Sequence, residues 1–370
     1  MKIICSKANL LQGVNTVSKA VPSRTTMAIL ECILVDASTN EIKLTANDME
    51  LGIETIIEGE ISERGVIALD AKIFSEIVRK LPDSDVTIET NESFKTVITC
   101  EKARFNIIGK SGEDFSYLPY IERNQPIVLS QFTLKEVIRQ TIFSISDSDN
   151  NKLMTGELFE INENLLKVVS LDGHRISIRN IDLKENYKAH KLVVPGKTLQ
   201  EIIKILPGDS NEYVNMFFTD NHILFEFDRT TVVSRLIEGE YFKIEQMLSS
   251  DYETKIKINK KELLSCIDRA TLLVKEGDKK PIIMNVTDKT MELKINSFIG
   301  SMNEDIDIQK EGKDIMIGFN PKFFIDALRV IDDEEVTLYM VNPKAPCFIK
   351  NDKEKYIYLI LPVNFNAATN

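Results

Sequence analysis

The sequence is short of the residues on which catalysis usually rests. It holds three histidines in 370 residues, His174, His190 and His222, too few for a His-rich metal site. No HExxH or GxSxG segment occurs, which removes the zinc-protease and nucleophile-elbow patterns. The five cysteines (Cys5, Cys32, Cys100, Cys266, Cys347) are odd in number, scattered and without a CxxC pair. They read as free, mostly buried thiols. No apolar run approaches the roughly 20 residues that span a bilayer. The opening MKIICSKANLLQG is too weakly apolar for a signal-peptide core. A cytoplasmic chain with no membrane partner is expected. Gly109-Lys110-Ser111 and Gly196-Lys197-Thr198 resemble the end of a phosphate-binding loop, but Arg104 and Lys191 stand where its first glycine is required. The reading therefore expects no cofactor and no metal. Positive charge is also in deficit: 46 Lys and Arg face 57 Asp and Glu, for a net charge of −11, which taken alone argues against nucleic acid.

What is present is repetition. Lys191–Phe218, KLVVPGKTLQEIIKILPGDSNEYVNMFF, reads as strand, helix, Pro-Gly stop and strand. Leu199, Ile202, Ile203 and Leu206 share one helical face, with Lys197, Gln200, Glu201 and Lys204 on the other. The same phrase occurs at Gly65–Glu89 and at Asp314–Met340. An interval of roughly 125 residues is longer than any solenoid period and indicates three copies of one domain. With 43% apolar and 28% charged residues the chain has the composition of an ordinary globular protein of two or three domains.

Each third also opens on a strand and an amphipathic helix, at MKIICSKANLLQGVNTVSKAV, PIVLSQFTLKEVIRQTIFSI and KIKINKKELLSCIDRATLLV. Ser6, Thr133 and Asn259 stand near the helix starts, where a capping side chain is expected. Alternating hairpin strands follow each helix, about eight strands per third by this reading. The expected fold class is α+β: three repeated domains, 1–124, 125–251 and 252–370, each with two amphipathic helices against antiparallel sheets, and a polar fraying tail from Asn366.

The acidic average conceals a pattern. The six expected helices carry positive balances of two, two, one, one, two and one, together +9, which leaves −20 for the rest of the chain. One basic helix face is usually a solvated face. Six of six point to a positive helical side and a negative remainder, a surface that holds a phosphate backbone without reading bases.

Asp172-Gly173-His174-Arg175 places a carboxylate, an imidazole and a guanidinium within four residues, the material of an acid–base site. On an extended strand Asp172 and His174 share a side and Arg175 does not. No Ser or Cys nucleophile can be set beside them, so a hairpin turn or a binding role is the better reading, with no catalytic residue.

The threefold repeat, LDGHRIS, VPGKTLQEIIKILP, LTANDMELGIE, IEGEYF and the ending YLILPVNF together resemble the bacterial DNA polymerase III beta subunit, the sliding clamp family, from MKIICSKANLLQGV to Phe365. The resemblance implies a head-to-tail homodimer closed into a ring around double-stranded DNA. Helices line the hole and sheet forms the outside. Such a ring does no catalysis. It tethers the replicative DNA polymerase, and serves the clamp loader and repair proteins, through short apolar peptide motifs. Arg24 matches a DNA-contacting arginine of the family, while Lys72, Arg79, Lys80, Lys197 and Lys204 are phosphate-contact candidates from helix position. The dimer edge implied by the family pairs Arg104, Phe105 and Ile107 with Leu272, Leu273, Glu304 and Asp305. The implied peptide pocket comprises Met154, Leu171, Gly173, His174, Arg175, Ile176, Phe242, Gln246 and Met247. From the last third come Lys344, Pro346, Leu359, Leu361, Pro362, Val363, Asn364 and Phe365. Its walls are mostly apolar, Met154 and Met247 can adapt to several partners, and His174 and Arg175 are placed to fix a peptide's polar groups. The chain departs from the family at Leu171 (commonly a small hydroxyl residue), Phe242 (commonly proline), Gln246 and Asn364 (basic in some relatives). Asp147 and Asp149 replace basic or aromatic residues, and DNA contact is not carried onto their loop. A monomeric peptide-binding adaptor and a hydrolase using Asp172 and His174 are the competing readings.

Overall fold

The computed structural model describes residues 1–248, 251–274 and 280–365; the expected tail from Asn366, and Lys275 at the end of the fifth expected helix, lie outside them. Six α-helices occur among the described residues: α1 (Lys7–Val17), α2 (Ala71–Lys80), α3 (Gln131–Arg139), α4 (Gly196–Ile205), α5 (Lys260–Thr271) and α6 (Pro321–Val330). Each stands where a repeat phrase places one. The apolar stripe of α2 (Ala71, Phe74, Ile77, Val78) and that of α5 (Leu263, Cys266, Ile267, Ala270) are buried, as the 3.6-residue period requires.

Helix starts follow capping chemistry. Asp70 Oδ1 accepts from Ile73 N at 2.8 Å, Asn259 Oδ1 from Glu262 N at 3.0 Å, and Ser6 Oγ from Asn9 N at 3.2 Å. Thr133 does not cap α3. It lies inside the helix, and its N–H donates to Ser130 Oγ at 3.1 Å. A hydroxyl at the strand end reaches the third helical N–H, whereas one already in helical backbone cannot.

The chain forms two compact units, Met1–Lys135 with Lys197–Leu236, and Glu136–Gly196 with Ile237–Asn370. These units cut through the middle repeat. In the first, strand Leu51–Ile57 pairs with Thr230–Arg235, which makes one nine-stranded sheet of strands from the first two repeats. In the second, Arg175–Pro195 pairs with Tyr356–Ile360, giving a seven-stranded sheet from the last two. Shared backbone ladders, rather than repeat boundaries, decide which segments pack as one body.

Each unit also holds a smaller antiparallel sheet. The five-stranded sheet of the first ends on strand Ala103–Ile108, and the four-stranded sheet of the second on Ser301–Asp307. Both strands have one unpaired edge. The core of the second unit packs α5 and α6 residues such as Leu263, Ile267, Phe324 and Leu328 against strand residues Met284, Leu293 and Ile317. All five cysteines are buried and free. Burial pushes the Cys5 and Cys266 thiols up to about 12, so neither is a thiolate at neutral pH. No helix among the described residues is long and apolar enough to cross a membrane.

Candidate partner pocket and charged surfaces

The segment Leu171–Ile176 is a tight turn between two long strands, Gly156–Leu171 and Arg175–Pro195. Gly173 takes φ +85, a left-handed conformation that costs a side-chain-bearing residue free energy. Asp172 Oδ1 accepts from the N–H groups of His174 (2.9 Å) and Arg175 (3.1 Å), closing the turn. The expectation from strand alternation is reversed here. Because the backbone turns at Gly173, the Asp172 and Arg175 side chains meet, with Nε donating to Asp172 Oδ2 at 3.0 Å.

Arg175 is the main correction to the expected pocket. Its side chain is 8% exposed. Nη1 donates to Asp326 Oδ2 at 2.7 Å and Nη2 to the Phe143 carbonyl. The guanidinium carbon lies 4.5 Å from the Phe323 ring centre and 5.4 Å from that of Phe143. Every nitrogen of the fork is therefore committed inside the protein. Arg175 braces the turn from within the protein, with three of its five N–H donors bonded to Asp172, Asp326 and the Phe143 carbonyl. His174, by contrast, is exposed, with its ring stacked on Phe323 at 6.2 Å and 20°. Asp172 spends its oxygens on the turn and on Arg175, which leaves it no role as the base partner of His174.

Around this turn the second unit gathers most of the other expected pocket residues. Leu171, Ile176 and Leu359 are buried in one apolar cluster, with Met154 and Phe242 packed against it. Leu361 N–H donates to the His174 carbonyl at 2.9 Å, and Val363 N–H to the Gly318 carbonyl at 2.8 Å. A Cβ at Gly318 would lie 2.7 Å from Phe365 Cδ1, so the absent side chain leaves room for that ring. Cys347 pairs with Ile360 in an antiparallel ladder, which puts Pro346 in register with Leu361. Lys344 N–H is held by Asn342 Oδ1 at 2.9 Å in the loop just before. Gln246, Met247 and Asn364 are exposed, Pro362 half-buried. Met247 and Leu361 are 49% and 37% exposed, next in the chain to Leu248 and close to Leu359 of the apolar cluster. Sequence reasoning missed Phe323. It stands in the first turn of α6, partly buried against the core of the second unit, and an aromatic pair Phe323-Phe324 at a repeated helix start was the signal that could have found it.

The first unit contains the same frame. Asp48 Oδ1 accepts from Glu50 N (3.0 Å) and Leu51 N (2.7 Å), and Arg235 N–H donates to the Glu50 carbonyl at 2.8 Å. By register Gly52, opposite Val233, takes the place that Ile176, opposite Leu359, holds in the second unit. Here Leu118 occupies part of the floor, and a cavity of about 360 Å³ remains beside it, lined also by Met49, Gly52, Tyr117 and Arg235. Leu118 packs on Phe217, Leu224 and Val233, and a Cβ at Gly52 would overlap its Cδ2. Gly52→Ala should therefore destabilise the protein by about 1–3 kcal/mol through overpacking, and Gly52→Ala with Leu118→Ala should be less than additive. Thermal denaturation of the two singles and the double checks this.

The six candidate phosphate contacts are all exposed, but four already have anionic neighbours. Lys197 Nζ lies 2.5 Å from Asp48, Lys204 pairs with Glu201 at 2.8 Å, and Glu76 meets both Arg79 and Lys80. The exposed pairs on Glu76 are worth about 0–1 kcal/mol, little enough for a phosphate to displace the partner, whereas the Asp48 and Glu201 side chains are 8% and 18% exposed. Arg24 and Lys72 are exposed cations of the same unit.

The two open sheet edges carry the remaining candidates. Arg104 and Phe105 are exposed and Ile107 half-buried on Ala103–Ile108. Ile108, which sequence reasoning passed over, is 79% exposed. In the second unit Leu272, just after α5, is 78% exposed, while Leu273 packs against the core. Asp305 is exposed, and Glu304 is held by Arg269, which keeps its carboxyl below the usual range. Phe298 and Ile299, in the turn before this edge strand, are 95% and 55% exposed. Two adjacent apolar residues in a turn between alternating strands are the signal that could have found them. Unpaired edges rimmed with large apolar side chains mark an association surface.

The comparisons with known proteins bear on all of this. Models of the N-terminal, central and C-terminal domains of the DNA polymerase III beta subunit match residues 1–119, 128–243 and 245–364 in turn. The beta sliding clamp of Staphylococcus aureus is 35% identical over 374 residues, 98% of this chain and 99% of the relative. A crystal structure of a putative DNA polymerase III beta subunit from Eubacterium rectale is 81% identical, with a TM-score of 0.97 over 99% of this chain and 100% of that one. The sliding clamp of Bacillus subtilis is 34% identical with a TM-score of 0.96, over 99% and 100%. At 22% identity a Pseudomonas aeruginosa clamp, bound to griselimycin, shares the fold with a TM-score of 0.93, over 99% and 100%. Repeated helix-and-sheet domains with these relatives define a polymerase processivity clamp, a class that is not catalytic. The chain belongs to the bacterial DNA polymerase III beta subunit family.

Proposed function

We propose that the chain acts as a homodimeric ring that encloses duplex DNA, slides without base specificity and tethers the replicative polymerase, clamp loader and repair proteins by peptide motifs. The domains are proposed as 1–124, 125–251 and 252–370. The observation that carries this reading is the full-length match to sliding clamps, at 81% identity for one solved structure. Two further features support it. The basic edge at Arg104 complements the acidic edge at Glu304 and Asp305, and each carries exposed apolar side chains, so a head-to-tail contact buries like with like and pairs opposite charges. Arg24, Lys72, Arg79, Lys80, Lys197 and Lys204 supply weak phosphate contacts. Non-specific affinities of about 10⁻⁴ to 10⁻⁶ M are too weak for persistence, which enclosure provides instead.

Partners dock at the pocket floored by Leu171, Ile176 and Leu359 and rimmed by Met247, His174 and Leu361, and griselimycin is proposed as a ligand of the same pocket. Leu361→Asp places a charge on an apolar rim. In primer extension on singly primed circular DNA it should cut product length at least tenfold, while ring mass stays unchanged. Full stimulation by that variant would remove the pocket from the account. His174→Ala should leave DNA loading intact and weaken polymerase stimulation.

A further inference from the structure

Within the second unit, the pocket rim and α6 are joined through one buried cation. We infer that Asp326 is a positioning residue for the partner pocket: from α6 it holds Arg175, which fixes the Asp172–His174 rim, so that pocket occupancy and the seating of α6 are linked. The inference rests on the pocket reading above.

Asp326 is the single acid of α6, between Lys322 and Arg329. Its carboxylate takes Arg175 Nη1 at 2.7 Å, with the two side chains 21% and 8% exposed. The other two guanidinium nitrogens hold Asp172 and the Phe143 carbonyl. Phe323, one turn earlier on the same helix, lies under both the guanidinium and the His174 ring. The rim is thus attached to α6 by a charged hydrogen bond and by a shared aromatic. Removing the Asp326 charge leaves a buried guanidinium short of one counter-charge, since an amide oxygen still accepts but carries no charge, and this is more disruptive than losing an exposed pair. A second arginine grips the same helix end, with Arg139 Nη2 donating to the Val330 carbonyl at 3.4 Å. α6 also buries Phe324, Ala327 and Leu328 in the core, so it stays docked when Asp326 is changed, and the rim is what moves. A ligand that orders the rim must, by reciprocity, order the α6 segment beyond Phe323.

The test uses the full-length protein with griselimycin as probe and calorimetric titration as readout. Leu361→Asp is the control for the pocket itself. Asp326→Asn should weaken binding roughly three- to tenfold, inside the range of about 2- to 30-fold for couplings carried through an intermediate side chain. Asp326→Glu should recover most of it, and ring mass should not change. Hydrogen exchange adds a readout that simple destabilisation does not give. Griselimycin should slow exchange of the amides at 326–330 in the unmodified protein and not in Asp326→Asn. Unchanged affinity in Asp326→Asn, with binding abolished by Leu361→Asp, overturns the inference and spares the pocket. Intact binding in Leu361→Asp overturns the pocket reading itself. If Asp326→Asn does not fold, the unmodified protein decides: no slowed exchange at 326–330 on adding griselimycin overturns the inference.

Discussion

Leu272→Asp should convert the protein from a species of twice the 42.1 kDa chain mass to a single chain at micromolar concentration. The side chain is 78% exposed in the chain considered alone, so the substitution leaves the fold within about 0.5 kcal/mol of its starting stability. Its effect falls on association. Losing a fully desolvated hot-spot side chain costs about 2 kcal/mol or more, and placing a carboxylate in an apolar contact adds the cost of burying charge. The new charge also stands on the edge that holds Glu304 and Asp305, where repulsion compounds the loss. A ring has two such contacts, so the penalty is counted twice. Light scattering reads the mass directly, and an unchanged doubled mass would place the subunit contact elsewhere.

The second large effect is on stability and comes from Glu157. This residue is fully buried on strand Gly156–Leu171, opposite Val194, and neither carboxylate oxygen has a hydrogen-bond partner. Burial holds its carboxyl well above the usual range. Neighbouring Thr141 offsets this only in part, since its hydroxyl donates to the Val137 carbonyl at 2.8 Å. The folded chain keeps a proton that the unfolded chain releases near pH 4.3. Stability from this group is therefore complete below about pH 4.3 and falls by about 1.4 kcal/mol per pH unit above it, until the raised folded value is passed. Glu157→Gln keeps the shape and removes the titration. It should match the unmodified protein near pH 4 and exceed it by a margin that grows as pH rises above 5, levelling off once the folded carboxyl ionises. Thermal denaturation at those pH values tests the point, and parallel pH profiles for the two proteins would contradict it.

Much of the fold is legible in the sequence because the repeats state it three times. The phrase around Phe74, Ile202 and Phe324 carries helix period, cap and stop together, so α2, α4 and α6 can be placed without coordinates. Pairing between repeats is not legible. Nothing local says that Leu51–Ile57 continues into Thr230–Arg235, because sheet partners are chosen by long-range packing. For that reason the compact units depart from the repeat boundaries. The burial of Leu171, Ile176 and Leu359 was legible, because strand alternation aims them inward. Arg175 was misjudged because the alternation rule holds for extended backbone and Gly173 breaks it. Glu157 carries the opposite lesson. It shares a strand face with Phe159 and Ile161, so the pattern already placed it among buried residues, and its charge alone suggested otherwise.

On the proposed function the chain's hold on DNA is topological, and topology can be removed without touching a single contact. Protein loaded onto nicked circular DNA should remain bound through gel filtration at moderate salt and be lost when the circle is cut once, as it runs off the new ends. Equal retention on circular and linear DNA would mean that the basic surface grips phosphate directly, and the enclosing ring would have to be abandoned.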